Sequence, residues 1–95
     1  MKGHLYKFTV ECLEDSKGNT ADSNPLIFET RNHDDIFKIV ERMQGKMDLD
    51  EADSTAFAVG LKLFGEVMLK NKDNELFRQF MPHFKDFMKG LKKSS

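Results

Sequence analysis

The sequence predicts a small α+β fold, in which a two-stranded antiparallel hairpin is followed by three helices. An early segment alternates apolar and polar residues with a period of two, as a half-buried strand does. Three later segments carry apolar residues at helical spacing, and each is bounded by residues that typically begin or end helices. With 95 residues, the chain is expected to form a single domain spanning 1–95.

The hairpin is predicted to consist of strands over residues 4–13 and 26–31. The residues expected on the inner face of the first strand are Tyr6, Phe8, Val10 and Cys12. Burial in that face predicts that Cys12 is a structural thiol rather than a nucleophile. The segment between the strands has almost no apolar residues, and weak order is expected over residues 16–24.

Helices are predicted over residues 33–44, 51–70 and 75–92. Asn32 and Asp50 are placed as the N-caps of the first two helices, because both residue types accept hydrogen bonds from free helical amides. Two further residues are expected to end the first and second helices, namely Gly45, in a left-handed conformation, and Asn71.

Helix two carries apolar residues around most of its circumference, which predicts a central position with neighbours on several sides. Gly60 and Gly65 lie inside it, and each costs about 1 kcal/mol relative to alanine in a helix. Gly60 is expected to allow close approach of helix three or of the hairpin. A ligand is the alternative occupant of the space that the missing Gly60 side chain leaves, although convergent polar groups are not evident there.

Helix three has a regular apolar stripe that continues with unchanged phase past Pro82. Proline lacks the amide donor and clashes with the carbonyl of Arg78, so one helix kinked near Pro82 is expected rather than two helices. The stripe consists of Leu76, Phe77, Phe80, Met81, Phe84, Phe87, Met88 and Leu91.

Charge is unevenly distributed, although the net charge is only −1. Residues 1–61 hold 7 basic and 12 acidic side chains, whereas residues 62–95 hold 8 basic and 4 acidic ones. The basic C-terminal part supports two interpretations, a surface for nucleic acid or another anionic partner, and complementarity within the protein. Nucleic acid is not the expected partner, because the chain as a whole is slightly acidic. The residues for an anionic contact are Lys85, Lys89, Lys92 and Lys93.

No catalytic, cofactor-binding or metal-binding residue is predicted. The side chains of residues 33–35 point about 100° apart on a helix and cannot readily close on one ion. The segment that begins at Asp48 fails the calcium-loop pattern at Ala52 and Val59. The single cysteine favours a reducing, cytoplasmic location, and no apolar run is long enough to cross a membrane.

Three segments, "NHDDIFKIVERM", "AFAVGLKLFGEVMLKN" and "MPHFKDFMKGLK", resemble an uncharacterised family of small bacterial proteins. The resemblance extends from the first strand, "YKFTVE", to "FMKGLKK", and "GLKLF-EVMLKN" is its most specific part. The family is a domain of unknown function with structural-genomics structures. The resemblance implies a bacterial, cytosolic, stand-alone domain and brings no activity, cofactor or catalytic residue.

The function expected from these features is that of a non-enzymatic cytosolic interaction module, joined as a homodimer by strand edges or by the helix-three stripe. A nucleic-acid-binding accessory protein is the alternative, and a small enzyme with a site assembled from distant residues is the weakest. The residues expected in the interface are Lys7, Thr9, Glu11, Phe80, Phe84 and Phe87.

Overall fold

The computed structural model describes residues 3–21 and 24–93. It confirms the predicted fold class, a two-stranded antiparallel hairpin followed by three helices. The elements are β1 (His4–Val10), β2 (Leu26–Asn32), α1 (Ile36–Met43), α2 (Glu51–Lys70) and α3 (Glu75–Lys93). The chain divides into two compact units, residues 1–33 with the hairpin and residues 34–95 with the helices.

The hairpin is paired along its full length, because each of the seven residues of β1 lies opposite a residue of β2. One face carries a row of aromatic rings, in which Phe8 stacks on the directly opposite Phe28 at a centroid distance of 5.2 Å. On the other face Lys7 lies opposite Glu29, an arrangement that is favourable for opposite charges.

The first strand is shorter than predicted, since β1 ends at Val10 instead of residue 13. Val10 lies opposite Leu26, and the next position along β2 is Pro25, which has no amide hydrogen to continue the ladder. The prediction of a buried Cys12 is therefore wrong. Its side chain is exposed, and its thiol donates to the carbonyl oxygen of Glu14 at 3.1 Å.

The connection between the strands contains a hydrogen-bonded turn. The carboxylate of Asp15 accepts the backbone amides of Lys17 and Asn19, both at 2.9 Å. Glu14 and Thr20 form an isolated antiparallel bridge around this turn. The expected weak order over residues 16–24 stays a prediction for exchange experiments, and residues 22 and 23 lie outside the described residues.

The ends of the first two helices are set by side-chain caps. Asp50 is the N-cap of α2, as predicted, and its carboxylate accepts the amide of Asp53 at 2.8 Å. The N-cap of α1 is Asp35 rather than the predicted Asn32, because Asn32 is still the last residue of β2. Two predicted ends are confirmed at the other termini: Gly45, with a φ of 79°, follows α1, and Asn71 is the C-cap of α2.

Within the helical unit, α2 contacts both α1 and α3. The contact with α1 contains the buried Ser54, whose hydroxyl donates to the carbonyl of Met43 at 2.8 Å. The contact with α3 is aromatic, since the ring centroids of Phe57 of α2 and Phe87 of α3 are 6.0 Å apart. The helix α3 runs continuously through Pro82, as expected for one helix rather than two.

The prediction that helix three approaches Gly60 closely is wrong. Among the described residues of the helical unit, no atom beyond the adjoining part of α2 lies within 4 Å of the position of a Gly60 Cβ. Gly65 has this role instead, because a Cβ there would lie 3.5 Å from Cζ of Phe84. The sequence offers both glycines on the same helix, and only the position of α3 distinguishes them.

Candidate functional site

The apolar stripe of α3 has a central line and two edges. Phe84 lies on the central line, where its ring faces Gly65 and Phe64 of α2. Side chains separated by three, four or seven residues share one side of a helix. Phe80 and Phe87 therefore lie along one edge, and Phe77, Met81 and Met88 lie along the other. Each edge borders a groove of different chemistry.

The aromatic groove is a shallow apolar depression of about 400 Å³. It is lined by Leu61, Phe64, Phe80, His83, Phe84 and Phe87. The ring of Phe64 contacts Phe80 at 5.8 Å and Phe84 at 6.3 Å between centroids, so these side chains form one cluster. Although they pack together, Phe64, Phe80 and Phe87 keep exposed fractions of 42%, 41% and 44%.

The cationic groove lies beside the other edge of the stripe and has a volume of about 410 Å³. Its lining residues are Met68, Leu69, Lys72, Phe77, Arg78, Met81 and Lys85. Met68 is fully buried, and Leu69 is 46% exposed. Three cationic side chains lie around this apolar surface, one from the connection between α2 and α3 and two from α3, and none of the described residues that line the groove is acidic.

The predicted interface residues separate into two groups. Phe80, Phe84 and Phe87 come together in the aromatic groove. Lys7 and Thr9 belong to β1 in the hairpin unit, on the face where Lys7 is opposite Glu29. The prediction also included Glu11, which lies beyond the end of β1 and is exposed.

The predicted anionic contact consists of lysines of α3 that are all exposed. Lys85, Lys89 and Lys92 share one side of the helix through their spacing of four and three residues, and Lys93 is the last residue of α3. Of this group, Lys85 alone lines the cationic groove. Sequence reasoning missed Arg78, which precedes Lys85 by two helical turns, although that seven-residue spacing is visible in the sequence.

Sequence reasoning also missed the contributions of α2 and of its connection to α3. Phe64 was expected in the interior as part of the apolar surface of helix two, and Lys72 belongs to a short polar segment without a periodic pattern. Neither has a local signal that predicts a groove, because each groove exists only where α3 packs beside α2.

Within residues 3–21 and 24–93, no three His, Cys, Asp or Glu side chains cluster as a metal site requires. In the same ranges, no helix combines the length and the apolar character that are needed to cross a bilayer. The arrangement observed on α2 and α3 consists of apolar surface and fixed positive charge. These are the features of a binding surface, and they include no arranged pair of acid and base or nucleophile and base.

Comparisons with known proteins identify the family of the chain and bring no activity with it. The model of a family described as a domain of unknown function with solved structure, DUF3861, matches residues 4–93. The crystal structure of a protein of unknown function from Pectobacterium atrosepticum is similar, with a TM-score of 0.82 and 43% sequence identity. The similarity covers 96% of this chain and 98% of that one. No curated protein matches the sequence.

Proposed function

We propose that this chain, which belongs to the family of unknown function DUF3861, is a non-enzymatic interaction module that forms a homodimer through its aromatic groove. The observation that carries the proposal is that Phe64, Phe80 and Phe87 each remain more than 40% exposed in one cluster. Contact with water is unfavourable for such a surface, since burial of apolar area contributes roughly 25 cal/mol per Å².

A second copy of the chain is the occupant that this groove fits best. In a two-fold dimer each patch meets the same patch of its partner, so a charged patch would oppose like charge. Among the described residues that line the aromatic groove there is no acidic or lysine side chain, and His83 is the one titratable residue. Aromatic rings are also favourable against other rings in tilted and edge-to-face arrangements.

The strand-edge route to a dimer receives less support. It rested on the marginal stability of a lone two-stranded hairpin and on an unpaired end of the first strand, and the second ground is absent because β1 is paired with β2 at every residue. The interface proposed here therefore uses Phe80, Phe84 and Phe87 of the expected set and does not need Lys7, Thr9 or Glu11. A cytoplasmic location is part of the proposal, and the single exposed thiol of Cys12 supports a reducing compartment.

The test is the mass of the purified protein in solution. Light scattering at micromolar concentration should give twice the chain mass of 11.0 kDa. His83→Glu should give the monomer mass, because it places like charges across the two-fold contact and removes none of the phenylalanines. Phe80→Glu should have the same effect, and circular dichroism should show that both variants are folded.

Phe37→Glu is the matched control, since Phe37 is an exposed phenylalanine of α1 and lies outside both grooves. This variant should keep the mass of the dimer. A monomer mass for the unmodified chain would overturn the proposal. A dimer that tolerates both His83→Glu and Phe80→Glu would overturn the placement of the interface at the aromatic groove.

A further inference from the structure

We propose that the cationic groove binds an acidic amphipathic helix of another protein. This inference does not depend on the homodimer, because the two grooves lie on opposite edges of the α3 stripe. It rests on three observations about the groove, namely its apolar floor, the spacing of its cations and its lack of acidic lining residues.

The floor of the groove is suited to apolar side chains from a helix. Met68 is fully buried beneath it, while Met81 and Phe77 are partly exposed along α3. Methionine side chains are flexible and polarizable, so they adapt to anchors of different shape. From Phe77 to Lys85 the groove follows α3 for about 12 Å, which is the length of about two turns of a bound helix.

The cations come from positions spread along the groove. Arg78 and Lys85 are seven residues apart on α3, which corresponds to about 10 Å along the helix axis. Lys72 belongs to the connection that precedes α3. A helix with acidic residues two turns apart matches this spacing and covers the apolar floor between the cations, whereas a single carboxylate or phosphate group leaves the floor uncovered.

Charge complementarity identifies the polar side of the partner. The three cations at the groove face no acidic side chain within its lining, so a basic or neutral helix would leave them without compensation. An acidic amphipathic helix satisfies both requirements, since its apolar residues at intervals of three and four cover the floor and its carboxylates meet the cations. Duplex nucleic acid would compensate the charges and leave the apolar floor uncovered.

The experiment uses a synthetic helical peptide as the probe. The peptide is about fourteen residues long, is held helical by a side-chain crosslink, and has leucines at i, i+3 and i+7 with glutamates flanking them two turns apart. Its fluorescence anisotropy is followed during titration with the full chain. We expect roughly micromolar binding that weakens as salt increases, because exposed ion pairs are screened.

Two control peptides isolate the two recognition elements. In one, glutamine replaces glutamate, and in the other the same residues are scrambled so that the leucines no longer share a face. Both should bind about tenfold more weakly or worse. Equal binding of the glutamine peptide would overturn the role of charge, and equal binding of the scrambled peptide would overturn the role of the apolar floor.

Protein variants place the peptide in this groove. The double variant Arg78→Glu/Lys85→Glu should lose binding of the glutamate peptide and gain binding of a peptide with lysine at those positions. The double variant Lys89→Glu/Lys93→Glu makes the same change in charge on α3 outside the groove and should bind nearly normally. Stronger loss in the second double variant than in the first would overturn the assignment.

Three further measurements separate this proposal from other occupants and from the homodimer. Peptide binding should persist in His83→Glu, whose expected effect is on self-association alone. A fall in the mass of the chain from dimer to monomer when the glutamate peptide is added, seen by light scattering, would instead assign the groove to a second copy and overturn the proposal. Tighter binding of a duplex DNA, abolished by Arg78→Glu/Lys85→Glu, would overturn it in favour of nucleic acid.

Discussion

The hydroxyl of Ser54 donates a hydrogen bond to the carbonyl oxygen of Met43 at 2.8 Å, and both residues are buried. This contact joins the first turn of α2 to the last residue of α1. Its surroundings are buried, since Ser54 and Ala58, four residues later on α2, have no exposed surface. The position of α1 on α2 is therefore fixed in part by a buried polar contact, and the exposed hydrogen bond from Gln44 to Thr55 is a second polar link.

Ser54→Ala is expected to lower the free energy of unfolding by about 0.5–1.5 kcal/mol. The loss is moderate, since the Met43 carbonyl also accepts the amide of Lys46 at 3.2 Å and keeps one partner. Urea denaturation of the two proteins measures the difference. Thr55→Ala is the comparison, because the Thr55 hydroxyl donates to Glu51 of its own helix and accepts the exposed side-chain amide of Gln44 at 3.3 Å. Its effect should be smaller than that of Ser54→Ala, and an equal effect would show that burial of the Ser54 contact has no special role.

The two glycines of α2 are expected to respond oppositely to a large side chain. Gly65→Leu should destabilise the protein by about 1–3 kcal/mol, because atoms beyond its Cβ would overlap the ring of Phe84. Gly60→Leu and Gly60→Ala should be neutral or stabilising by up to about 1 kcal/mol, since that position is open and glycine is unfavourable in a helix. Thermal and urea melts of the three variants distinguish the sites. Destabilisation by Gly60→Ala would contradict the open position.

The cap of α2 is expected to contribute measurably to stability. Asp50→Ala removes the side-chain oxygen that accepts the Asp53 amide at 2.8 Å, and it should cost about 0.5–2 kcal/mol. Asp50→Asn retains an oxygen acceptor and should recover most of this loss. If urea melts show the same stability for the two variants, then the charge of Asp50 matters more than its hydrogen bond.

The turn between the strands is expected to be sensitive to acid. Backbone hydrogen bonds from Asn19 and Lys17 lower the pKa of Asp15 below its ordinary value, because they stabilise the carboxylate. A lowered pKa means that the stabilisation is present above the ordinary pKa and is lost as the pH falls through the value in the folded state. NMR titration of the carboxyl carbon should show this lowered pKa. A midpoint at or above the ordinary value would contradict the turn geometry.

Amide exchange in the turn at Asp15 tests whether the connection between β1 and β2 is weakly ordered. The amides of Lys17 and Asn19 should exchange with solvent more slowly in the unmodified chain than in Asp15→Ala. Rapid exchange in both proteins would support the weak order that the polar composition predicts.

The sequence was sufficient to predict the secondary structure because the signals are local. The caps, the apolar spacing and the turn residues act within a few positions, and α2 lies where Asp50 and Asn71 place its ends. The predictions that failed concern features that are determined by residues distant in the sequence. The pairing of β1 ends opposite Leu26, the first residue of β2, which follows Pro25, and that same limit places Cys12 outside the sheet.

By itself, the sequence determined the fold class, both ends of α2 and the apolar stripe of α3. The tertiary structure alone decided that Gly65 rather than Gly60 faces Phe84, and that Lys72 joins Arg78 and Lys85 around one apolar groove. The physical reason is that periodicity assigns a residue to a side of its own helix, whereas burial and charge clustering depend on which surface of another element packs against that side.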